Sequence, residues 1–439
     1  MRMAIPSVLI LAVALGSPAA SQQRVDATLA GHSRLPAATF SAPPPDAPRE
    51  NFLSGRFLDP LSRVDEPYSV PQRTGLPTPF LGQPVQGISG FAQERPATGG
   101  IWAVIDNGFG SKRNSPDALL SFVHLVPEFG LGTIRVANRI WLRDPDQLVP
   151  FRIVQEGTQA RYLTGGDFDP ESIQVIGDQV WIGDEFGPFL LSATLDGRIT
   201  GIYSTIYEGR MLRSPDHPSV APGTAPGPAT WQVANSAGFE GLGLAPDGQL
   251  WAVLEQPLRT SHGATEDDVL LLQFDPVQRA WTGEVRRLAL TEGATSIGDI
   301  SFVDARHALV IERDNHQGDA ARACAEVTPP ADAGSCFPEP AQVKRVTMID
   351  LGQRDASGRI ARLDQIDLLG LSDPQGIGPG RIGDRFLFPF QTIESVVMDG
   401  PDHILVANDN NLPFSSGRSP DQADDTEMIR LHVPELLAR

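Results

Sequence analysis

Acidic and amide side chains recur in this chain at one kind of place, the open end of a short apolar hairpin. The clearest copy spans 165–191, GGDFDPESIQVIGDQVWIGDEFGPFLL: an apolar run at 172–176 enters a Gly177-Asp178 turn, and 180–182 returns to Asp184-Glu185. Gly and Asp are the residues a short hairpin turn favours. Pairing centred on that turn sets Glu171 opposite Asp184. FEGLGLAPDGQLWAVLEQP turns at Asp247-Gly248 and sets Glu240 opposite Glu255, and GDISFVDARHALVIERDN turns at Ala305-Arg306 and sets Asp299 opposite Glu312. IESVVMDGPDHILVANDNN has a longer turn, 399–402, and carries Asn408-Asp409 just beyond Glu394. A looser copy, QGISGFAQERPATGGIWAVIDNGFG, ends in Asp106-Asn107. Two carboxylates about 5 Å apart repel by roughly 3 kcal/mol at an effective dielectric near 20. Several such pairs in one place require protons, basic side chains or a metal. All-oxygen donor sets suit hard cations, Ca²⁺ first. The plain alternative is that these residues cap turns and face water.

A unit that recurs five times is a repeat, and four strands per repeat is what a propeller blade requires. After each hairpin come further β-runs, at 122–126 and 133–142, 189–194 and 199–206, 269–274 and 284–290, and 346–351 and 362–369. The second hairpin strands, IWAVID, VWIGDE, LWAVLE, ALVIE and ILVAN, are apolar almost throughout, as in sheets covered on both faces. First strands such as GLGLA and GISG are small enough for the crowded region beside an axis. The expected fold is therefore an all-β propeller. Five blades are read directly, and a sixth is compatible with the looser spacing of 51–85 or 318–390. The last repeat supplies only three strands, the third at 428–432, so an N-terminal strand is needed to close the ring, with 51–58 favoured. A two-sheet sandwich competes but does not explain the regular acidic ends.

If the hairpins are ordered around an axis, their open ends meet at one mouth. That mouth gathers Asp106, Asn107, Glu171, Asp184, Glu185, Glu240 and Glu255, and from the later repeats Asp299, Glu312, Asp314, Glu394, Asn408, Asp409 and Asn410. The candidate metal ligands are Asp106, Glu171, Asp184, Glu240, Glu312, Asn408 and Asp409. Glu185 or Glu255 is the candidate general base, and Arg313 the candidate stabiliser of developing negative charge. Lys112, Arg113, Arg259 and His316 stand near the hairpin ends and are candidates for holding an anionic substrate group; simple neutralisation of the acids is the alternative for each. His262 and His316 are further candidate bases, weighed against ordinary solvated loop histidines. No G-x-S-x-G or H-E-x-x-H is present. Gly378–Gly383 matches G-x-G-x-x-G but contains Pro379 and lacks a preceding strand, which rules out a nucleotide loop.

Composition sets the outer limits. The 439 residues are 41% hydrophobic and 20% charged, an ordinary globular balance, and the formal net charge is −19. Such acidity disfavours nucleic acids and anionic lipid surfaces as partners. Arg2, an apolar run at 5–15 and small residues at 16–21 form a secretory signal pattern, so 1–21 is expected to be cleaved and the mature protein to be periplasmic or secreted. The run is too short to span a bilayer, and no integral membrane segment is expected after its removal. Residues 22–50, rich in Pro, Ala and Ser, are expected to form an exposed leader, with the propeller domain at 51–439. Cys324 and Cys336 suit a disulfide in an exported chain.

WAVIDNGFGSKRNSPDA, FDPESIQVIGDQVWIGDEFGP, GFEGLGLAPDGQLWAVLEQP, LVIERDN and IESVVMDG…LVANDNN, in that order over roughly 80–438, resemble the phytase-like domain family, also called "esterase-like activity of phytase". The resemblance implies a bacterial, exported propeller that cleaves esters or phosphate esters. It implies site roles for the motif acids Asp106, Glu171, Asp184, Glu185, Glu240, Glu255, Glu312 and Asp409. Basic residues are few at the mouth, which disfavours a highly phosphorylated substrate such as phytate. The expected function is metal-dependent hydrolysis of a small-molecule ester or phosphoester, with Ca²⁺ as the expected cofactor. The alternative is a non-catalytic ligand- or protein-binding propeller with structural Ca²⁺. A third reading, glycoside hydrolysis by paired carboxylates, needs a sugar-stacking aromatic surface that 7% aromatic content does not favour.

Overall fold

Strands that are apolar on both faces must be covered on both faces, and the chain achieves this by packing its sheets against one another around an axis. The computed structural model describes residues 23–58, 63–260, 264–324 and 336–438, so the expected signal segment at 1–21 and His262 lie outside the described residues. Ile88–Phe91, Ile101–Ile105, Ser121–Glu128 and Thr133–Trp141 form a first antiparallel meander. Pro170–Ile176, Gln179–Asp184, Phe189–Thr194 and Ile199–Ser204 form a second. The third runs through Phe239–Leu244, Leu250–Leu254, Asp268–Asp275 and Ala280–Ala289. The fourth runs through Ser296–Phe302, His307–Arg313, Lys344–Arg354 and Ile360–Asp367. Thr392–Met398, His403–Asp409 and Thr426–His432 begin a fifth.

The first strand of each sheet packs on the first strand of the next, and that of the fifth returns to the first. The fold is a β-propeller. First strands are buried along nearly their whole length, whereas fourth strands such as Thr133–Trp141 are largely exposed, so the axis lies beside the first strands. Between sheets the core is aliphatic and aromatic; Trp181 and Trp251 are buried in one such layer, and Trp102 packs on another.

Ring closure uses a different strand from the one the sequence pattern favours. Thr28–Leu35 pairs antiparallel with Thr426–His432 and completes the fifth sheet. It comes from within the Pro- and Ala-rich 22–50 stretch. Its β-signal is weak because only Leu29 and Leu35 are large apolar residues, and a bulge near Gly31 interrupts it. Residues 51–58 instead form the end of a 3₁₀ turn, Arg49–Phe52, and a two-residue strand, Leu53–Ser54, paired with Phe80–Leu81. Cys324 and Cys336 are joined as a disulfide in a loop off the fourth sheet.

One irregularity recurs in all five sheets. Near the open end of each hairpin the ladder slips, leaving Ser89, Glu171, Glu240, Gly298 and Glu394 as the extra residue of a β-bulge. A bulge bends the strand and re-aims one side chain. It also corrects the expected register: Pro170, not Glu171, faces Asp184, and Ile297, not Asp299, faces Glu312.

At the fourth sheet the bulge residue has no side chain, and neighbouring backbone explains why. A Cβ on Gly298 would lie 2.1 Å from the Ile393 carbonyl oxygen of the fifth sheet. Gly298→Ala is expected to cost about 1–3 kcal/mol, as overpacking does, and to lower the melting temperature by several degrees. Circular dichroism melts check this; an unchanged midpoint would show that the strands can part without penalty.

Candidate functional site

The bulge re-aims Glu171, Glu240 and Glu394 toward the axis. The position one step beyond the partner of each pre-bulge residue supplies the other half of the site: Asp106, Glu185, Glu255, Arg313 and Asp409. Four acids and one base thus occupy equivalent places in five sheets. With Asp169 they line one cavity of about 190 Å³ at the mouth. Eight carboxylates face it, and Arg313 is the only basic residue among its described lining.

The cavity holds two groups of acids. Asp169, Glu171 and Glu185 each offer a carboxylate oxygen, and these atoms lie within 4.8 Å of one another. Asp169 Oδ1 and Glu185 Oε1 are buried without a hydrogen-bond partner. In the same cavity, Arg313 Nη2 lies 3.0 Å from Glu240 Oε1, 2.9 Å from Glu255 Oε1 and 3.0 Å from Glu394 Oε1. Its Nη1 donates to Asn315 Oδ1 at 2.6 Å, and its Nε is buried without an acceptor. Asp106 and Asp409 close the ring, each accepting one backbone N–H, from Gly108 and Asn411.

Burial and mutual repulsion set the protonation of this cluster. Burial, then the charges of Asp409 and Asp169, pushes Asp106 well above the ordinary carboxylate range. Glu171 is raised by burial and then by Asp169 and Glu185; Glu185 and Glu240 are raised by burial and then by Glu255. Glu394 rises by burial and by the neighbouring Glu240. Asp169 and Asp409 are pushed up to about 6, chiefly by burial. For Arg313, burial favours loss of the proton, but Glu255, Glu394 and Glu240 outweigh it and hold the guanidinium charged more firmly than in water.

Several expected site residues sit elsewhere. Asp184 accepts the backbone N–H groups of Asp169 and Gly187, both at 2.8 Å, and so shapes the turn that presents Asp169. Glu312 is buried against Arg362, Thr347 and the Thr291 N–H. Asn408 accepts the Glu427 N–H, and Asn410 bonds Gly87 and Gln86. Asp299 accepts N–H groups of Ile300 and Val396 and staples the fourth sheet to the fifth. Asp314 holds the Gln342 and Val343 N–H groups and the buried Lys344. Asn107 lines the cavity while its Oδ1 shapes the following turn. Of the proposed substrate-binding residues, Lys112 bonds the Asp216 carbonyl and lies over Phe186, and Arg113 is exposed. Arg259 and His316 line two other cavities. None of the four lines the acidic cavity. Asp169 is the residue the sequence reading passed over. It stands two residues before Glu171 in the same acidic hairpin end, and that spacing was the available signal.

The family described as "Phytase-like: Esterase-like activity of phytase" matches residues 83–412, a span that contains every acid of the cavity. The chain belongs to this family. No curated protein sequence matches the chain. Among solved structures, native Bacillus subtilis arabinanase Arb43A is similar at 10% identity and TM-score 0.37, covering 78% of this chain and 93% of its own. Myxococcus xanthus glutaminyl cyclase gives 10% identity and TM-score 0.34, with 79% and 91% covered. Xylan β-1,4-xylosidase from Bacillus halodurans gives 10% identity and TM-score 0.39, with 80% and 56% covered. Likeness at this level carries nothing about activity or site.

The raised carboxyls make a signed prediction for the metal-free, phytase-like chain. Asp titrates near 3.9 when unfolded, whereas Asp169 and Asp409 titrate at about 6 and Asp184 at about 7 in the fold. A raised folded-state value favours folding below the unfolded value, and that contribution is lost as pH climbs through 6 to 7. In EGTA the melting temperature should fall between pH 5 and pH 8. A rise over that interval would contradict the burial of these acids.

Proposed function

We propose that this phytase-like chain is an exported hydrolase that cleaves an ester or phosphoester at the acidic mouth, with Ca²⁺ held by Asp169, Glu171 and Glu185. The observation that carries the reading is the pair of buried, unpartnered oxygens, Asp169 Oδ1 and Glu185 Oε1, among carboxylate atoms within 4.8 Å of one another. A buried acceptor without a donor is costly, and an all-oxygen set answers to a hard cation. Bound there, such an ion supplies Lewis-acid polarisation of a phosphoryl or carbonyl oxygen.

The chain's own side chains supply the rest. Glu185 has two oxygens, so one can serve the ligand set while the other takes a proton from the attacking water. Glu255 is less free for that task, because Oε1 accepts from Arg313 and Oε2 from Gln256 at 3.1 Å. Arg313 keeps Nε–H for negative charge that develops in the cavity. The family's name supports an ester-cleaving class. One basic residue among eight acids supports a neutral or singly charged ester over a polyphosphorylated one. The secretory signal pattern at 1–21 supports export.

A second reading is a binding propeller in which Ca²⁺ is structural. It is favoured by the cavity's lining, which among the described residues includes no histidine. Turnover of p-nitrophenyl phosphate and p-nitrophenyl acetate, each with Ca²⁺ and with EGTA, separates the two. Calcium-dependent turnover is expected, with Glu185→Gln lowering kcat by roughly 10²–10⁴-fold, the range for general acid–base groups. A calcium-dependent rise in melting temperature without turnover of either ester would move the chain to the binding class.

A further inference from the structure

One group of acids in the mouth already holds a cation, and it is part of the chain. Glu240, Glu255 and Glu394 each place an Oε1 within 2.9–3.0 Å of a single nitrogen, Arg313 Nη2. That nitrogen has two hydrogens and three carboxylate oxygens, so linear hydrogen bonds do not account for the arrangement. Oxygens gathered round one point in this way meet a positive centre as they meet a metal ion. Arg313 occupies the position that carries Asp106, Glu185, Glu255 or Asp409 in the other sheets. Opposite it, Gly298 leaves the bulge position without a side chain, and the backbone spacing keeps it so. The fourth sheet therefore contributes charge of the opposite sign to the ring. In the same cavity, Asp169 Oδ1 and Glu185 Oε1 have no such counter-charge within hydrogen-bond reach.

We propose that the Arg313 guanidinium fills a second cation site of the mouth, so that the chain takes up one hard divalent cation, and that removing Arg313 opens the Glu240–Glu255–Glu394 group to a second ion. This rests on the reading of the Asp169–Glu171–Glu185 group as a cation site. It also narrows the chemistry: a symmetric clamp of two ions on one substrate group is closed to the natural chain, leaving one ion beside a fixed guanidinium.

Ca²⁺ stoichiometry tests this, measured on the mature chain and on Arg313→Gln by calorimetry and by Tb³⁺ luminescence. One ion per natural chain and two per variant is the expected result. One ion in both, or two in the natural chain, overturns the role given to Arg313 and leaves the mouth as a cation site. No ion in the natural chain but one in the variant supports Arg313 as the occupant and overturns the Asp169–Glu171–Glu185 site; no ion in either overturns both. If Arg313→Gln does not fold, even with Ca²⁺, two other variants decide. Glu240→Gln should leave ion affinity within about threefold, whereas Glu171→Gln should weaken it by roughly 10-fold or more, since loss of an outer-shell partner alone costs about 10–100-fold. Equal losses would show that the two groups are one site and overturn the proposal.

Discussion

Like-charge repulsion among buried carboxylates is the constraint on which the rest of this structure depends. Eight acids share one cavity at the axis of a propeller, and two carboxylates about 5 Å apart repel by roughly 3 kcal/mol at an effective dielectric near 20. The sum of such terms is incompatible with a marginally stable fold unless the charge is removed or balanced. The chain uses two devices that are visible in its geometry. Burial raises the carboxyls and so favours their protonated forms, and Arg313 sets its single positive charge against three of them through one nitrogen. The group formed by Asp169, Glu171 and Glu185 has no basic side chain in hydrogen-bond contact with Asp169 Oδ1 or Glu185 Oε1 among the described residues.

The scaffold concentrates charge because of a local backbone feature. Each first strand carries a β-bulge near the mouth, so that side chains which regular alternation would bury between sheets turn to the axis instead. Bulges terminate regular pairing next to functional sites in many sheets, and five in equivalent places give the ring its common geometry. Small residues on the first strands let neighbouring sheets approach closely; at Gly241 an added Cβ would lie 2.8 Å from the Ile300 nitrogen of the next sheet. Tight packing and axial charge are thus set by the same short stretches.

Much of this was legible in the sequence. Near-continuous apolar second strands report sheets covered on both faces, and Asp106, Glu185 and Glu255, at the ends of IWAVI, VWIGD and LWAVL, line the mouth. The bulges were not legible. A one-residue slip leaves no compositional trace, so turn-centred pairing assigned Asp184 and Glu312 to the mouth, where the structure gives them backbone and Arg362 partners. Thr28–Leu35 was hidden for a different reason, since a strand that closes a ring gains its stability from the partner Thr426–His432 rather than from its own apolar content. Loop basic residues were the weakest ground: Lys112, Arg259 and His316 are close to hairpin ends in sequence, but their loops carry them to other surfaces.

The most direct test of a mouth built to hold one cation beside Arg313 is an anomalous-difference map from crystals of the mature chain grown with Tb³⁺ in place of Ca²⁺. A single peak among Asp169, Glu171 and Glu185, with Arg313 still on Glu240, Glu255 and Glu394, is the predicted result. A peak seated among Glu240, Glu255 and Glu394 with Arg313 displaced, or no peak in the mouth at all, would contradict it.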